Sequence, residues 1–577
     1  MTGAAATETT ETRRAAERQR LQEIVAAFEQ GAPVPLDELR ALTAAADRGT
    51  RGLARRLLAH AGLRHAQAEA AALLAASCAD LDFRHPALLL EAVEHADALA
   101  DHDRVFDLWL SYADAAARRG EFVAALVALL NAGSYDFRHG ARHSATPNSL
   151  RRMVAVYERV AAETARRLNL PEVPRGVRRS PPAGKLRIGH VIAQLVDGPH
   201  SPSRVMYTIL RNADRQRFET TLFITEALAA HADAPLQMLT SDWSDRRAPR
   251  LIHTLEHTLG VPVVRPRTRQ SLLAAAADIR AQMAERQIDI AFFHGSIATP
   301  TDWLLCAWRS APWEFDYGMG VPLFCPAVDY QFFEYPESME RLAFLCRERG
   351  VPYGSTPYGG TDLSYLDELP PMPRAAAGLA PDHVVLGSIG NHLPQRMSER
   401  FCRTVAGVLR RYPAARYLVI GPGDFTAQRA WLGADLCDGP APVVRFCGPT
   451  DEPGRWTLLL DIYVNEYPAG GGVAVCEAMA ARKPVVGMAV DDSSLALVVR
   501  KYLGPENLVT PATDEAYAAR LAELIASPAA RAALGARLRT RYETDFDGRR
   551  WTQDVHDRIW AFVHGGAPDV AKSRPGG

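Results

Sequence analysis

The sequence predicts an α/β protein: two doubly wound parallel-sheet domains that face each other, preceded by an all-helical N-terminal domain. Three observations carry this. From residue 185 onward short apolar, β-branched runs alternate with helical segments, the rhythm of a parallel sheet covered on both faces. Between residues 17 and 170 apolar residues recur at helical spacing, as in Leu57, Leu58, Ala61 and again Ala72, Leu73, Ala76, with almost no strand-like alternation. Three consecutive glycines, Gly470, Gly471 and Gly472, separate a strand pattern from a helix pattern in the last third of the chain.

The elements follow in order. Residues 1–16 read as a disordered polar tail, and 17–170 as seven or eight helices. Asp82-Phe83-Arg84-His85 returns 54 residues later as Asp136-Phe137-Arg138-His139, each copy behind an Ala/Leu-rich helix. The echo suggests duplicated helical hairpins, a TPR-like or solenoid-like arrangement, with the repeat as a helix-to-loop packing element. Residues 171–184, with Pro171, Pro174, Gly176, Pro181 and Gly184, read as an exposed linker. The first sheet domain, 185–375, is expected to open with a strand over 186–193 and a helix over 203–213; strands over 220–225 and 288–294 follow, with helices over 272–286 and 303–309. The second, 376–548, carries strand patterns at 384–389, 417–421, 443–447, 461–465 and 484–488, with helices at 398–411, 456–460 and 473–481 between them. A helix over 549–564 comes after the second sheet is complete and is expected to cross back over the first domain; 565–577 reads as a loose tail.

Composition narrows the function. A chain of 577 residues, 47% hydrophobic and 23% charged, is neither mostly disordered nor collagen-like. A net charge of −1 gives no global basic field for nucleic acid or an anionic membrane. Lysine occurs only at 185, 483, 501 and 572, so arginine, whose planar fork suits phosphate and carboxylate, does nearly all the cationic work. The 8 cysteines form no CxxC pair and read as free thiols of a reducing compartment. The start lacks the apolar core of a secretion signal, and no stretch reaches the length of a membrane span. The expectation is a soluble cytoplasmic protein.

The strongest chemical signal is the segment 461–480. A strand ends at Asn465, the glycines let the backbone turn and approach a ligand, and the helix that follows points free N–H groups and its dipole at the cleft. That is a site for a diphosphate. Glu477, one turn into the helix, is placed to accept hydrogen bonds from ribose hydroxyls; the plainer alternative is a glycine-rich turn with Glu477 solvated. No Lys-Ser/Thr follows the glycines, so this is not a Walker A loop, and no GxGxxG opens either sheet, which argues against a nicotinamide or flavin enzyme. Arg396 follows the first strand of the same domain, where a guanidinium neutralises charge on a departing diphosphate; Ser398 behind it reads as a helix N-cap. After the first strand of the first domain come Asp197, His200 and Arg204, expected at the mouth of the cleft opposite the glycine loop. His200 there takes a proton from an acceptor nucleophile; as an alternative, Ser201 or Ser203 merely caps the helix. His294 ends a strand, and Gly318 and Gly320 let a loop reach the cleft; the aromatic run from Trp313 to Tyr317 stacks on a ligand or is simply core. Metal is not implied: Asp101/Asp103 and Asp545/Asp547 follow no sheet strand.

Two facing α/β domains with a diphosphate loop in the second resemble the GT-B glycosyltransferases. Within them, residues 185–564 are similar to the catalytic region of the family that contains the protein O-GlcNAc transferases and the bacterial adhesin N-glycosyltransferases. The segments that carry the likeness are Lys185 to His190, His200 to Ser203, and Ala311 through Gly320 to Tyr330. The resemblance implies that Arg396 stands where that family has a diphosphate-binding lysine, Glu477 where it has a ribose-binding aspartate, and Thr450 near its base-contacting segment. It also implies that the helical domain contacts acceptor protein or packs on the catalytic domains. Arg for Lys, Glu for Asp, and glycine in place of a His-Thr-Thr run are departures that bear on donor identity.

The function expected on these grounds is that of a metal-independent transferase without a cofactor, moving a hexose from a nucleotide-diphosphate sugar, UDP-linked, to an Asn or Ser/Thr side chain of a protein, with inversion. His200 and Arg396 would be catalytic. Gly470, Gly471, Gly472, Glu477, Asn465 and Thr450 would hold the nucleotide sugar, and His294, Gly320 and Asp197 would line the acceptor side. Two alternatives stand beside it. One is a retaining GT-B enzyme acting on a glycan or small molecule; such enzymes often carry two glutamates separated by seven residues, and that spacing back from Glu477 lands on Ala469. The other is a non-catalytic helical adaptor on a degenerate GT-B fold.

Overall fold

The computed structural model describes residues 2–565, apart from 30–34, 46, 63–66, 139–145, 182–183, 199, 233–240, 320, 335, 357–360, 469 and 491–493. The helical region runs through Thr2–Glu29, Leu36–Leu42, Arg48–Gly62, Gln67–Asp80, Pro86–Ala98, His102–Arg119, Phe122–Arg138 and Pro147–Arg167. The segment 1–16, expected to be disordered, is helical from Thr2. It lacks a periodic apolar face, but beyond Gly3 it is built of Ala, Glu, Arg and Thr without proline, so propensity and pairs such as Arg13–Glu17 (3.1 Å) sustain a helix there. Local chemistry sets the ends of His102–Arg119: Asp101 accepts the Arg104 N–H at its start, and Gly120 at φ 79° closes it with Glu121 N–H donating to Ala116 O.

The internal echo does not repeat a structure. Asp82 and Phe83 leave their helix with φ of 52° and 51°, whereas Asp136 to Arg138 remain helical, and His139 lies outside the described residues.

Helical region and first sheet share one hydrophobic core. Tyr157 stacks on Trp303 with centroids 4.7 Å apart and donates to Ile297 O at 2.8 Å, and the Trp308 indole donates to Ala161 O. A Cβ on Gly133 would stand 2.5 Å from that of Ala298, so helix Phe122–Arg138 meets the sheet domain through a glycine. The segment read as a linker is fastened as well: Arg179 and Ser180 N–H groups both donate to Asp289, at 2.6 and 2.8 Å.

The first sheet comprises β1 (Leu186–Ile192), β2 (Phe218–Ile224), β3 (Val263–Val264), β4 (Ile290–Phe293), β5 (Trp313–Tyr317), β6 (Tyr330–Phe333) and β7 (Tyr353–Ser355), in the order β3-β2-β1-β4-β5-β6-β7. The second comprises β8 (Val384–Ile389), β9 (Ala415–Ile420), β10 (Val444–Gly448), β11 (Ile462–Val464) and β12 (Val485–Val486), in the order β10-β9-β8-β11-β12. All pairings are parallel, and buried strands of Val, Ile, Leu and Phe satisfy both covered faces. In each sheet the strand order reverses beside the first strand, so the loops after β1 and β4, and after β8 and β11, open at the switch points where ligands bind. Helix Gly548–Val563, capped by Asp547, returns to the first domain and buries Trp551, Val555 and Ile559 in its core.

Candidate active site

Ile462 of β11 pairs with Leu386 of β8, so the loops that leave these two strands are neighbours. After β11, Asn465 turns its side-chain oxygen onto the Gly471 N–H at 2.7 Å. A Cβ at Gly470 would stand 2.4 Å from Asn465 Nδ2 and 2.7 Å from Val499, so only glycine fits beneath this brace. Asn465 therefore shapes the loop from inside. Helix Val473–Ala480 starts behind Gly472 with no side chain capping it, which leaves its first N–H groups to an anion.

After β8 the chain forms the short helix Leu393–Arg396. Arg396 Nη1 lies 3.7 Å from the ideal Cβ position of both Gly390 and Gly471, so the guanidinium rides over the two loops. No hydrogen bond or ion pair engages it among the described residues. Ser398 caps helix Glu399–Arg411, and its hydroxyl donates to Tyr467 O at 2.8 Å, tying the β8 loop to the β11 loop.

Beside Arg396 lies a group that the sequence motifs do not single out. Glu466 is fully buried, and neither carboxylate oxygen has a hydrogen-bond partner among the described residues. Burial raises its carboxyl to about 7, with Arg396 pulling the other way. Its signal in the sequence is a charged residue at an otherwise buried strand end.

Glu477 is also buried, and its Oε1 accepts from Arg204 of helix Ser201–Arg211 and from the Tyr365 hydroxyl at 3.0 Å. Arg204 in turn donates to Tyr365 Oη at 2.8 Å. Burial works against the Arg204 charge, but Glu477 and Tyr365 outweigh it and raise its pKa. Arg204 and Tyr365 line a cleft of about 520 Å³ between the domains, within the usual range for a ligand pocket. Asp451 to Gly454 line it from the second domain, next to Thr450, whose hydroxyl accepts the Glu452 N–H in a turn.

On the first-domain side the placements differ from expectation. His200 is the N-cap of helix Ser201–Arg211, its Nδ1 2.7 Å from Ser203 Oγ and 3.4 Å from Ser203 N. Nδ1 accepts the Ser203 backbone N–H as the helix cap and so carries no proton; the Ser203 hydroxyl then donates to it, and the ring proton of His200 sits on Nε2. Burial, with Arg247 and His392 nearby, lowers His200 to about 4. It is a neutral donor at Nε2, not the free base that its place in the sequence suggests. Asp197 borders the cleft, but its carboxylate caps helix Pro249–His253 through the Arg250 and Leu251 N–H groups, at 3.0 and 2.9 Å. His294 is not at the acceptor side: it is buried, its Nε2 3.0 Å from His190 Nδ1, and burial lowers it to about 3. A β-strand of buried residues carries His190 inward, and His294 follows it into the core. The aromatic run is β5 and is core. Gly320 lies outside the described residues. Among the described residues no group of three or more His, Cys, Asp or Glu is placed to hold a metal ion, and no helix is long and apolar enough to cross a membrane.

Residues 381–527 match the family model of glycosyl transferases group 1. Over 98% of its length the chain is similar to 99% of a mutant O-GlcNAc transferase from Thermobaculum terrenum, at 17% identity and a TM-score of 0.53. Over 65% of its length it also matches the whole of HepE from Anabaena, solved with UDP and glucose, at 14% identity and a TM-score of 0.47. A glycosyltransferase from Rickettsia africae matches 67% of this chain over its own full length, at 11% identity and 0.49. A search of curated proteins finds no match. The fold is GT-B, two Rossmann-like domains behind a TPR-like helical domain, and residues 381–527 within it carry a glycosyltransferase group 1 domain.

Proposed function

We propose that the chain transfers a hexose from a nucleotide-diphosphate sugar, UDP-linked, to an Asn or Ser/Thr side chain of a protein, with inversion. The observation that carries this is the pairing of an uncapped helix N-terminus, behind Gly470 to Gly472, with the unpaired Arg396 guanidinium over the same loop. Diphosphate seated there meets donors and positive charge already in place, and these count most as the anomeric C–O bond breaks and the leaving group gains charge. Arg396 and the helix terminus are the groups we assign to that charge, in place of a divalent ion. Glu477 takes the ribose, and the segment from Thr450 to Gly454 faces the base. The acceptor approaches from the first domain and bonds to the anomeric carbon. With His200 Nδ1 engaged, the acceptor proton passes to an oxygen of the departing diphosphate, and His200 Nε2–H serves as a hydrogen-bond donor.

One observation favours the second reading, a retaining transferase. Glu466, buried at the end of β11 beside Arg396, supplies a second carboxylate in the segment where the seven-residue spacing from Glu477 meets only Ala469. The anomeric configuration of the product, read by NMR, separates the two.

The test of the proposal is calorimetric titration of the full chain with UDP, GDP and dTDP in the presence of EDTA. Saturable binding of UDP supports it. Binding of GDP or dTDP alone changes the donor, and binding of none of the three removes the nucleotide-sugar reading.

A further inference from the structure

Glu477 presents its two carboxylate oxygens unequally. Oε1 receives both the Arg204 guanidinium and the Tyr365 hydroxyl, and these two are bonded to each other, closing a three-member network. No hydrogen bond reaches Oε2 from the described residues. The Arg204 guanidinium also lies 5.7 Å from the Tyr365 ring centroid, so the aromatic ring supports the cation as well as sharing its proton donors.

The three residues come from different parts of the fold. Glu477 sits on helix Val473–Ala480 of the second domain, Arg204 on helix Ser201–Arg211 of the first, and Tyr365 on the segment that joins the two. Arg204 and Tyr365 form part of the wall of the interdomain cleft, and Asp451 to Gly454 stand across it. A glutamate has three side-chain torsions to fix, and an unheld carboxylate loses that freedom when a ligand binds. One held by two donors has already lost it, which is the preorganisation that raises affinity.

We propose that Arg204 and Tyr365 are positioning residues for the nucleotide: acting through Glu477 from across the cleft, they hold one carboxylate oxygen so that the other faces the ribose diol. The inference rests on the reading of Glu477 as the ribose carboxylate. It makes ribose recognition in the second domain dependent on a side chain of the first, so the nucleotide is read only when the two domains are together.

The readout is discrimination for ribose hydroxyls. The full chain is titrated with UDP and GDP and with the 2′,3′-dideoxy form of each. Hydrogen bonds to a charged acceptor predict that the wild type binds the ribonucleotide about 10-fold or more tighter than its dideoxy form. In Tyr365→Phe and Arg204→Lys this ratio falls several-fold while affinity for the dideoxy probe holds. In Glu477→Gln it falls toward one, and adding Arg204→Lys to Glu477→Gln changes it no further. A loosened fold would weaken both probes together and leave the ratio alone. Tyr365 is partly exposed, so its loss of one hydroxyl tests the inference even where a change at half-buried Arg204 harms folding. An unchanged ratio in Tyr365→Phe and Arg204→Lys overturns the inference and spares the reading beneath it. Equal wild-type affinity for ribo- and dideoxynucleotide, or no binding of either nucleotide, overturns both.

Discussion

Replacing Arg396 by alanine should cut turnover far more than it cuts stability. The guanidinium stands over the glycine loop, with Nη1 3.7 Å from the ideal Cβ positions at Gly390 and Gly471. For a diphosphate oxygen seated about 4 Å from it, a unit charge pair is worth roughly 4 kcal/mol at an effective dielectric constant of about 20. Only charge that develops on the way to the transition state accelerates the step. If about half a charge develops, the loss is about 2 kcal/mol, or roughly 30-fold in kcat. Removal of a preorganised donor in other enzymes costs about 10²- to 10³-fold, which sets the upper end. Stability should hold, because no partner among the described residues is orphaned. Glu466 loses a neighbour that favours its ionised form, so it stays protonated at higher pH and no bare buried anion is created. Arg396→Lys keeps the charge without the fork and should fall less. The assay is kcat and donor KM for both variants, with thermal melts alongside. A kcat for Arg396→Ala within about threefold of wild type, at an unchanged melting temperature, would refute the assignment.

Other consequences of the same geometry are open to measurement. Glu466 ionises near pH 7, beside the place proposed for the diphosphate, so nucleotide affinity should fall as pH rises from 6 to 8; calorimetry on Glu466→Gln should show that dependence flattened. Asp316 is buried and raised to about 8 by desolvation, so the unfolded chain releases its proton near pH 4 while the folded chain keeps it until about 8. Its contribution is thus complete below pH 4 and lost as pH rises toward 8; melts at pH 6 and 8 should differ less in Asp316→Asn than in wild type. The buried histidines act in the opposite sense: His294, lowered to about 3, and His556, lowered to about 4, cost stability as pH falls below about 6.5, and His294→Leu should soften the acid side of the melting profile. Finally, because Tyr157 and Trp303 sit in one core, a chain beginning at residue 171 should fail to give a monodisperse folded species on gel filtration, whereas a freely hinged helical domain would be removable.

The layout of the fold was legible because it rests on local periodicity. Helical spacing before residue 170 and strand-helix alternation after 185 are properties of neighbours in the chain, and the all-helical region, the two parallel sheets and the GT-B fold follow from them. Periodicity failed where propensity acted without it, in the helix from Thr2, and where a short motif was taken for a structural repeat, at Asp82 and Asp136. The linker was legible as a break in pattern, but its attachment to Asp289, about 110 positions away, was not.

The candidate site divides in the same way. The amino-acid sequence by itself determined that three glycines would stand between a strand and a helix start, that Ser398 would cap a helix, and that a cation would follow the first strand of the second sheet. These are relations within a few residues, decided by backbone conformation and unpaired N–H groups. Only the tertiary structure decided the partners. Asp197 and His200 read as cleft groups, yet capping bonds to Leu251 and Ser203 occupy them; His294 reads as a strand-end ligand, yet strand packing buries it against His190. Glu466 reads as an ordinary glutamate until desolvation raises its carboxyl to about 7. Glu477 meets Arg204, 273 positions away, only because the intervening chain folds two sheets face to face. Charge, burial and hydrogen-bond satisfaction are set by what arrives from far along the chain, and no local pattern encodes that.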